Sequence, residues 1–419
     1  MSEDVFEQKD RFFGVGRFDD PYPKLAELQK KCPVHEGSLS GLFGTVGAEN
    51  TIFPEESYVT VTAFDEVDRI LKSPKVFSSS WYHPSMGEIV GRSILEMDPP
   101  EHRRFRALLQ VAFSKSAVEG WEEAFIRSIL NRAVDRFAGR GHADLSQDFA
   151  FLYPIEVTAT AAGLPVDDLD EFYRFTAVLT NVAVPAEDRL RASRGLGEMV
   201  QRLIDERRKD PREDLISVLV QARLTDEEAA EAEIGDGKRT LSDEEIVTFV
   251  RLLVPAGAQT TYRAMTNLLY GLLTHPGQLD ALRADRSLIP QAVEEGIRWE
   301  VPLTYSGRTV TTGTEVCGRP VDAGSQVQVL LGAVNRDPQR WPDAEKFDIF
   351  RPPQRHLGFG TGVHVCLGIN LARSELKCAL EVLLDRLPDI RLDPDADPPS
   401  ITGLGMRTAA RLPVVFTPS

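Results

Sequence analysis

Ten residues near the C-terminus, Phe359-Gly-Thr-Gly-Val-His-Val-Cys-Leu-Gly368, constrain this chain more than any other stretch. A cysteine stands there between a loop with glycines at 358, 360, 362 and 368 and a helix that begins almost at once. Leu371, Ala372, Leu376, Ala379, Leu380 and Leu383 recur at helical spacing and predict an apolar face running on towards Leu387-Pro388. Cys366 falls at the N-terminal end of that helix, where free N–H groups and the helix dipole favour a negative group. The position predicts a lowered thiol pKa and a thiolate ready to act as a nucleophile or metal ligand. The glycines predict a close approach of the backbone to something flat and bulky.

Several readings compete for such a cysteine. The plainest is a small buried hydrophobe at a helix start. A phosphate loop is disfavoured, because no Gly-Lys-Ser/Thr follows the glycines. Zinc needs about four ligands, and only His364 and Cys366 cluster here. The absence of C-x-x-C and C-x-x-C-H argues against a dithiol redox motif and against covalently attached haem. Ligation of haem iron by a single thiolate remains, a bond that favours O–O cleavage. The pattern F-x-x-G-x-H-x-C-x-G resembles the haem-binding signature of the cytochrome P450 family.

Composition sets the outer limits. With 419 residues, 42% apolar and 27% charged, the chain reads as a globular protein with a large core. Its 48 basic and 64 acidic residues give a net charge of −16, which disfavours nucleic acid as a partner. The charged N-terminus carries no apolar signal core, and no run approaches the eighteen or so apolar residues of a membrane span. Cys32, Cys317, Cys366 and Cys378 are too scattered for a disulfide framework. A reduced, cytoplasmic protein without membrane attachment is expected, similar to the soluble bacterial members of the family.

Residues 1–60 read as an irregular segment with a short helix near Lys24–Lys31 and a strand at Tyr58–Thr62. A helix is expected over Ala63–Lys72, then a loop over Val76–Leu95 with Trp81, Tyr82, Met86 and Ile89 exposed along it. Asp98 is the expected cap of the next helix, with Pro99 in its first turn and Glu101 completing a capping box. His102 and Arg106 lie four apart and share a face. Helical spacing continues over Glu119–Ala138, Leu152–Leu164, Asp170–Val182, Leu190–Arg208 and Leu215–Ala222, with an exposed acidic connection at Thr225–Arg239. Ser242-Asp-Glu-Glu245 is a capping box opening a helix that reaches His275-Pro276. Pro255 and Gly257 interrupt that helix and predict a kink or opened turn at its middle. Glu295 and Arg298 can pair on one helix face, and residues 306–331 change to the period-two alternation of a small β region.

The resemblance covers roughly Ala63 to the C-terminus through separated motifs in the family's order. It implies one domain over residues 1–419, mainly α with small β-sheets (α+β), with haem b between the long central helix and the cysteine-loop helix. Cys366 matches the iron ligand, and His102, Arg106, Arg308 and His364 match propionate-binding positions. Ala256, Gly257, Phe359 and Gly368 match positions bordering the cofactor. Thr260 matches the oxygen-activating threonine. The family usually has Asp or Glu before it, and this chain has Gln259, whose amide orients water but does not ionise. Glu295, Arg298 and Arg351 match a structural ion-pair motif. Trp81, Val182, Leu252, Leu303 and Leu404 are expected around an apolar substrate, with the Ile401–Met406 turn reaching into the pocket.

The function implied is a monooxygenase that uses O2. Electrons are expected from an external ferredoxin and ferredoxin reductase, because no flavin or iron–sulfur motif is fused. Arg103, Arg104 and Lys115, with Arg336 or Arg340, form the expected docking cluster on the cysteine side. Gln259 keeps open peroxide-driven oxidation, oxidative coupling or dehydration at the same haem. A non-catalytic haem protein is a third reading, opposed by the presence of Thr260.

Overall fold

The computed structural model describes residues 5–47, 52–53, 57–165, 169–181, 183–234 and 238–418. Its organising element is the helix Asp243–Thr274, 32 residues and so about 48 Å long. Both halves of the expected capping box form: Glu245 N–H donates to Ser242 Oγ at 3.2 Å, and Ser242 N–H donates to Glu245 Oε2 at 2.8 Å. The helix is buried on most sides and packs against Tyr153–Ala162, Ala186–Lys209, Ile289–Trp299 and Ile369–Arg386. A helix walled in this way carries apolar residues all round rather than on one stripe. The expected opened turn is absent: the helix continues through Pro255. Pro255 cannot donate to the Arg251 carbonyl, but helices packed along both halves support the continuous helix.

The expected α+β architecture is present, with many helices and small sheets. One five-stranded sheet has the order Val34–Glu36, Tyr58–Val61, Gln326–Val329, Ser306–Val310, Phe77–Ser78. Tyr58–Val61 runs parallel to Gln326–Val329, and the other pairings are antiparallel. The β region of 306–331 thus supplies two central strands, and the hairpin Thr314–Val316/Arg319–Val321 lies between them in sequence. Arg308 pairs with Val327, which fixes the face its side chain takes.

Four local expectations are corrected. The N-terminal segment is more regular than its prolines suggest, with the helix Val5–Phe12 in addition to the expected one, which spans Tyr22–Lys31. Arg263 of the central helix, 4% exposed, pairs with Asp10 and ties the first of these down. Asp98 does not cap the helix Glu101–Gln110, because its carboxylate accepts from Ser78 Oγ and Ser79 N–H. Glu101 pairs with Arg92 instead of closing a capping box. Trp81 and Ile89 are buried, and short helical turns replace the expected loop. The acidic connection after Thr225 contains the capped helix Asp226–Glu231.

Candidate functional site

The cysteine loop is held from three directions. Cys366 N–H donates to Phe359 O at 3.0 Å and closes the turn. Gly362 has φ +74°, and a Cβ there would lie 2.4 Å from Leu71 O, so the loop rests on the helix Phe64–Leu71. Leu357 N–H donates to Asn335 Oδ1 at 2.7 Å, and Asn335 O accepts from Arg298 at 2.9 Å. Arg298 also grips both oxygens of Glu295 at 2.7 Å, with Arg351 3.5 Å from the same carboxylate. The ion-pair motif therefore supports the segment leading into the cysteine loop. Residues 358–370 are all half-buried although they lie inside the molecule, because they face a cavity. Gly358 and Gly362 are demanded by protein neighbours, whereas Gly368 has nothing near its missing Cβ and opens on the cavity.

The expectation of a lowered thiol pKa fails in the protein alone. Burial pushes the Cys366 thiol up, and the Gly368 backbone and Arg106 charge do not overcome it. The helix starts at Ile369 with Gly368 as its cap, so Cys366 precedes the turn where the dipole acts strongly. A bound cation is the remaining force that makes a buried thiol a thiolate.

Two adjoining cavities of about 320 and 260 Å³ share Leu95, Ala256, Thr260, Thr261, His364, Cys366 and Ala372 in their walls. Thr260 lies on the central helix and Cys366 on the cysteine loop, so the cavity lies between the two elements. Ala256 is exposed in the middle of an otherwise buried helix because it borders this space. The Thr260 hydroxyl donates to Ala256 O at 2.7 Å, which leaves its oxygen lone pairs available as acceptors. Gln259 is 3% exposed, does not line either cavity, and neither atom of its amide has a hydrogen-bond partner.

One end of the cavity carries a cluster of donors. His102 and Arg106, from the helix Glu101–Gln110, meet His364 from the cysteine loop, and Arg308 enters from the sheet. The His102 and His364 rings are 4.3 Å apart. Burial lowers both pKa values, to about 4 for His102 and about 2 for His364, with Arg106 acting on both in the same direction. His102 Nδ1 and His364 Nε2 are buried without a partner. Arg106 uses Nη1 on Val365 O at 2.8 Å, and Arg308 uses Nη1 on Gly307 O at 2.6 Å, so each keeps further N–H groups for an anion. Buried donors left unsatisfied are costly, and two carboxylates brought by a ligand would satisfy them. A thiol, a largely apolar cavity with a glycine at its edge, and these donors fit haem b with its two propionates.

Other expected residues separate. Leu252 lines one cavity and Leu303 the other, with Phe359 beside Leu303 and Gly257 beside Leu252. Trp81 and Leu404 lie instead in a separate cluster with Tyr22, Leu25 and Tyr305 and line neither half. A Cβ on Gly307 would fall 2.2 Å from the Trp81 ring, showing how closely the indole lies on the sheet. The Ile401–Met406 turn does not enter the cavity. It is tied to the N-terminal segment by Gly403 N–H to Phe18 O and Leu404 N–H to Phe13 O. Val182 lies outside the described residues.

In the expected docking cluster Arg103 and Lys115 are exposed. Arg104 is 5% exposed and bound to Glu245 and to the Lys238 and Thr240 carbonyls, so it holds the fold. Arg336 is likewise engaged, with Trp299 O and Glu300, and Arg340 stacks over Phe64. Sequence reasoning missed Glu375 and Thr158, both in the wall of the cavity. The signal for Glu375 was present: it sits among Leu371, Ala372, Leu376 and Ala379, a carboxylate inside an apolar stripe.

Fold and site together define a haem-thiolate protein. Comparison with known sequences agrees: the cytochrome P450 family model matches residues 170–412, and the chain belongs to that family. It is 36% identical over 403 residues to mycinamicin IV hydroxylase/epoxidase of Micromonospora griseorubida, covering 91% of this chain and 97% of that one. It is 35% identical over 388 residues to the cytochrome P450 monooxygenase PikC of Streptomyces venezuelae, covering 89% and 85%. The crystal structure of CYP109E1 from Bacillus megaterium in complex with corticosterone superposes with a TM-score of 0.80 at 28% identity, over 95% of this chain and 98% of that one. The protein is a cytochrome P450 monooxygenase with haem b as cofactor. Among the described residues no helix is long and apolar enough to cross a membrane.

Proposed function

We propose that this enzyme inserts one oxygen atom from O2 into a small apolar organic substrate, with electrons from a separate ferredoxin and its reductase. The observation that carries the reading is the placement of Cys366 and Thr260 in the walls of one largely apolar cavity. Bound haem b supplies reductive activation of O2, favoured by electron density from its thiolate ligand. His102, Arg106, Arg308 and His364 would hold the propionates. Leu95, Leu252, Leu303 and Ala264 bind substrate by removing its apolar surface from water. Thr260 holds water by accepting a hydrogen bond at Oγ1 while its own O–H donates to Ala256 O. Gln259 lines neither cavity, and its amide has no proton to release at neutral pH. Arg103 and Lys115 are the exposed cations proposed to meet an acidic ferredoxin on the cysteine side.

Gln259 favours one second reading, in which the same cofactor is driven by peroxide, which brings its own protons and electrons. A ligand screen that follows the haem spin-state spectrum identifies bound compounds, and turnover is then compared with a ferredoxin system and with peroxide. Oxygenated product from the ferredoxin system supports the first reading. Product from peroxide alone would replace it.

A further inference from the structure

Both ends of the cysteine loop are held, outside the cavity, by one carboxylate. Glu294 lies on Ile289–Trp299, beside the Glu295 that pairs with Arg298. Arg373, on the helix Ile369–Arg386 that follows the cysteine, donates from Nε to Glu294 Oε1 and from Nη2 to Oε2, both at 2.7 Å. His356, where the chain enters the loop, places Nε2 3.2 Å from Glu294 Oε2, and its Nδ1 accepts from Gly358 N–H at 3.1 Å. A backbone N–H only donates, so Nδ1 is the acceptor of a neutral ring and the proton sits on Nε2, aimed at the carboxylate. Burial would raise the Glu294 pKa, but hydrogen bonds from His356 and Arg373 bring it down to about 2, so it stays ionised. The two arms meet again at Phe359, whose ring centre is 5.2 Å from the Arg373 guanidinium and 6.2 Å from the His356 ring. Phe359 O in turn accepts from Cys366 N–H. Gly358, Phe359 and Cys366 line the cavity, whereas Glu294, His356 and Arg373 line neither half of it.

We propose that Glu294 is a positioning residue for the Cys366 thiolate, acting through His356 before the loop and Arg373 after it. The inference rests on the haem-thiolate reading, in which the sulfur must keep its place for its electron density to reach the iron. Groups that orient a metal ligand from behind contribute to the site although they never touch the metal. As an ion pair alone, Glu294 and Arg373 contribute little, since 35% and 42% of their side chains remain exposed. What the pair orients matters more. The His356 ring fixes Gly358 N–H, and a Cβ on Gly358 would lie 2.5 Å from Ile297 Cγ2, so the entry to the loop is seated on the helix that carries Glu294. Arg373 adds charge as well as contact: burial raises the Cys366 thiol, while the Gly368 backbone, Arg106 and Arg373 favour its thiolate. A guanidinium held by two parallel bonds keeps that charge in one place, which a single-atom donor does not.

The holoenzyme and its Glu294→Gln, His356→Phe and His356→Asn variants test this in a urea titration of the reduced carbon-monoxide complex. Two signals are followed, the thiolate-type Soret band and the circular dichroism of the helices. In Glu294→Gln and His356→Phe the thiolate-type band should give way while the helices are intact. At a fixed urea concentration the ratio of non-thiolate to thiolate form should rise about 10-fold over wild type, the lower end of what the outer partners of a metal ligand contribute. His356→Asn keeps an oxygen that can accept from Gly358 N–H and should recover much of the band. Arg373→Gln should lower the reduction potential of the haem iron more than Arg373→Lys does, because a nearby cation favours the added electron. If Glu294→Gln takes up no haem, the two His356 variants carry the titration. Band and helices lost together in every variant, as a role in general stability requires, overturn the proposal. So does an Arg373→Gln potential equal to that of the wild type. A wild type lacking the thiolate-type band would instead defeat the haem-thiolate reading.

Discussion

Replacing Arg298 with lysine keeps the charge and removes the fork, and the structure says what that costs. Arg298 donates five hydrogen bonds: two to Glu295 and one each to the carbonyls of Asn335, Ala344 and Lys346, at 2.7–3.0 Å. Arg298 and Glu295 are 2% and 3% exposed, so water does not replace what is lost. A lysine has three donors on one atom, so at least two of the five bonds go unmade. Hydrogen bonds to a charged group are worth about 1.5–3 kcal/mol each, and breaking a buried pair costs about 3–5 kcal/mol. A loss of about 3–5 kcal/mol is therefore expected for Arg298→Lys. Asn335 passes the damage on, since its side chain holds Leu357 N–H ahead of the cysteine loop. Denaturant unfolding of the holoprotein measures the loss, and Soret absorbance per protein measures retained haem. Both should fall together. A variant within about 1 kcal/mol of wild type with full haem would refute the argument that this arginine's geometry, rather than its charge, supports the loop.

Further expectations concern charge and the cavity. Burial would raise Glu294, but hydrogen bonds from His356 and Arg373 outweigh it and bring its pKa down to about 2. A depressed carboxylate stabilises above its unfolded pKa and loses that contribution as pH falls towards the folded value. The side chain is 35% exposed, so screening reduces the contribution to about 1 kcal/mol. The stability gap between wild type and Glu294→Gln should close as pH falls from about 4.5 towards about 2, and a gap constant with pH contradicts the assignment. Thr260→Val removes the hydroxyl and its bond to Ala256 O, and should change stability by under about 1 kcal/mol. Its peroxide release per product should rise, and unchanged coupling would remove Thr260 from proton handling. Trp81→Phe should leave ligand-induced spin shifts unchanged, because Trp81 lies outside the cavity wall. Its indole N–H is already unpartnered, which offsets part of the lost packing. An altered ligand profile would return Trp81 to the pocket.

The parts legible in the sequence were those whose signals are local. A capping box, the long helix that it opens and a glycine-studded cysteine loop each need only neighbouring residues, and each forms where expected. His102 and Arg106 were readable because helical spacing puts both on one face. The failures share a long-range cause. Asp98 was read as a cap, but Ser78 and Ser79, twenty residues earlier, take its carboxylate. Arg104 looks like a surface charge until the chain returns at Lys238–Glu245 to surround it. Trp81 looks exposed until the sheet places Gly307 beneath its ring. Cys366 sits near a helix start as expected, yet desolvation exceeds the benefit of that position. Glu375 shows the converse: a residue that breaks its own apolar stripe marks a place where the cavity, rather than the core, sets the chemistry.

We propose thiolate ligation of haem iron by Cys366, in the wall of the cavity that Thr260 also lines. Its most direct measurement is the absorbance spectrum of the reduced carbon-monoxide complex of the purified protein. A strongly red-shifted, thiolate-type Soret band is expected, lost in Cys366→Ala. A band in the position given by a histidine or a neutral thiol in the wild type, or one that survives the loss of Cys366, would contradict the claim.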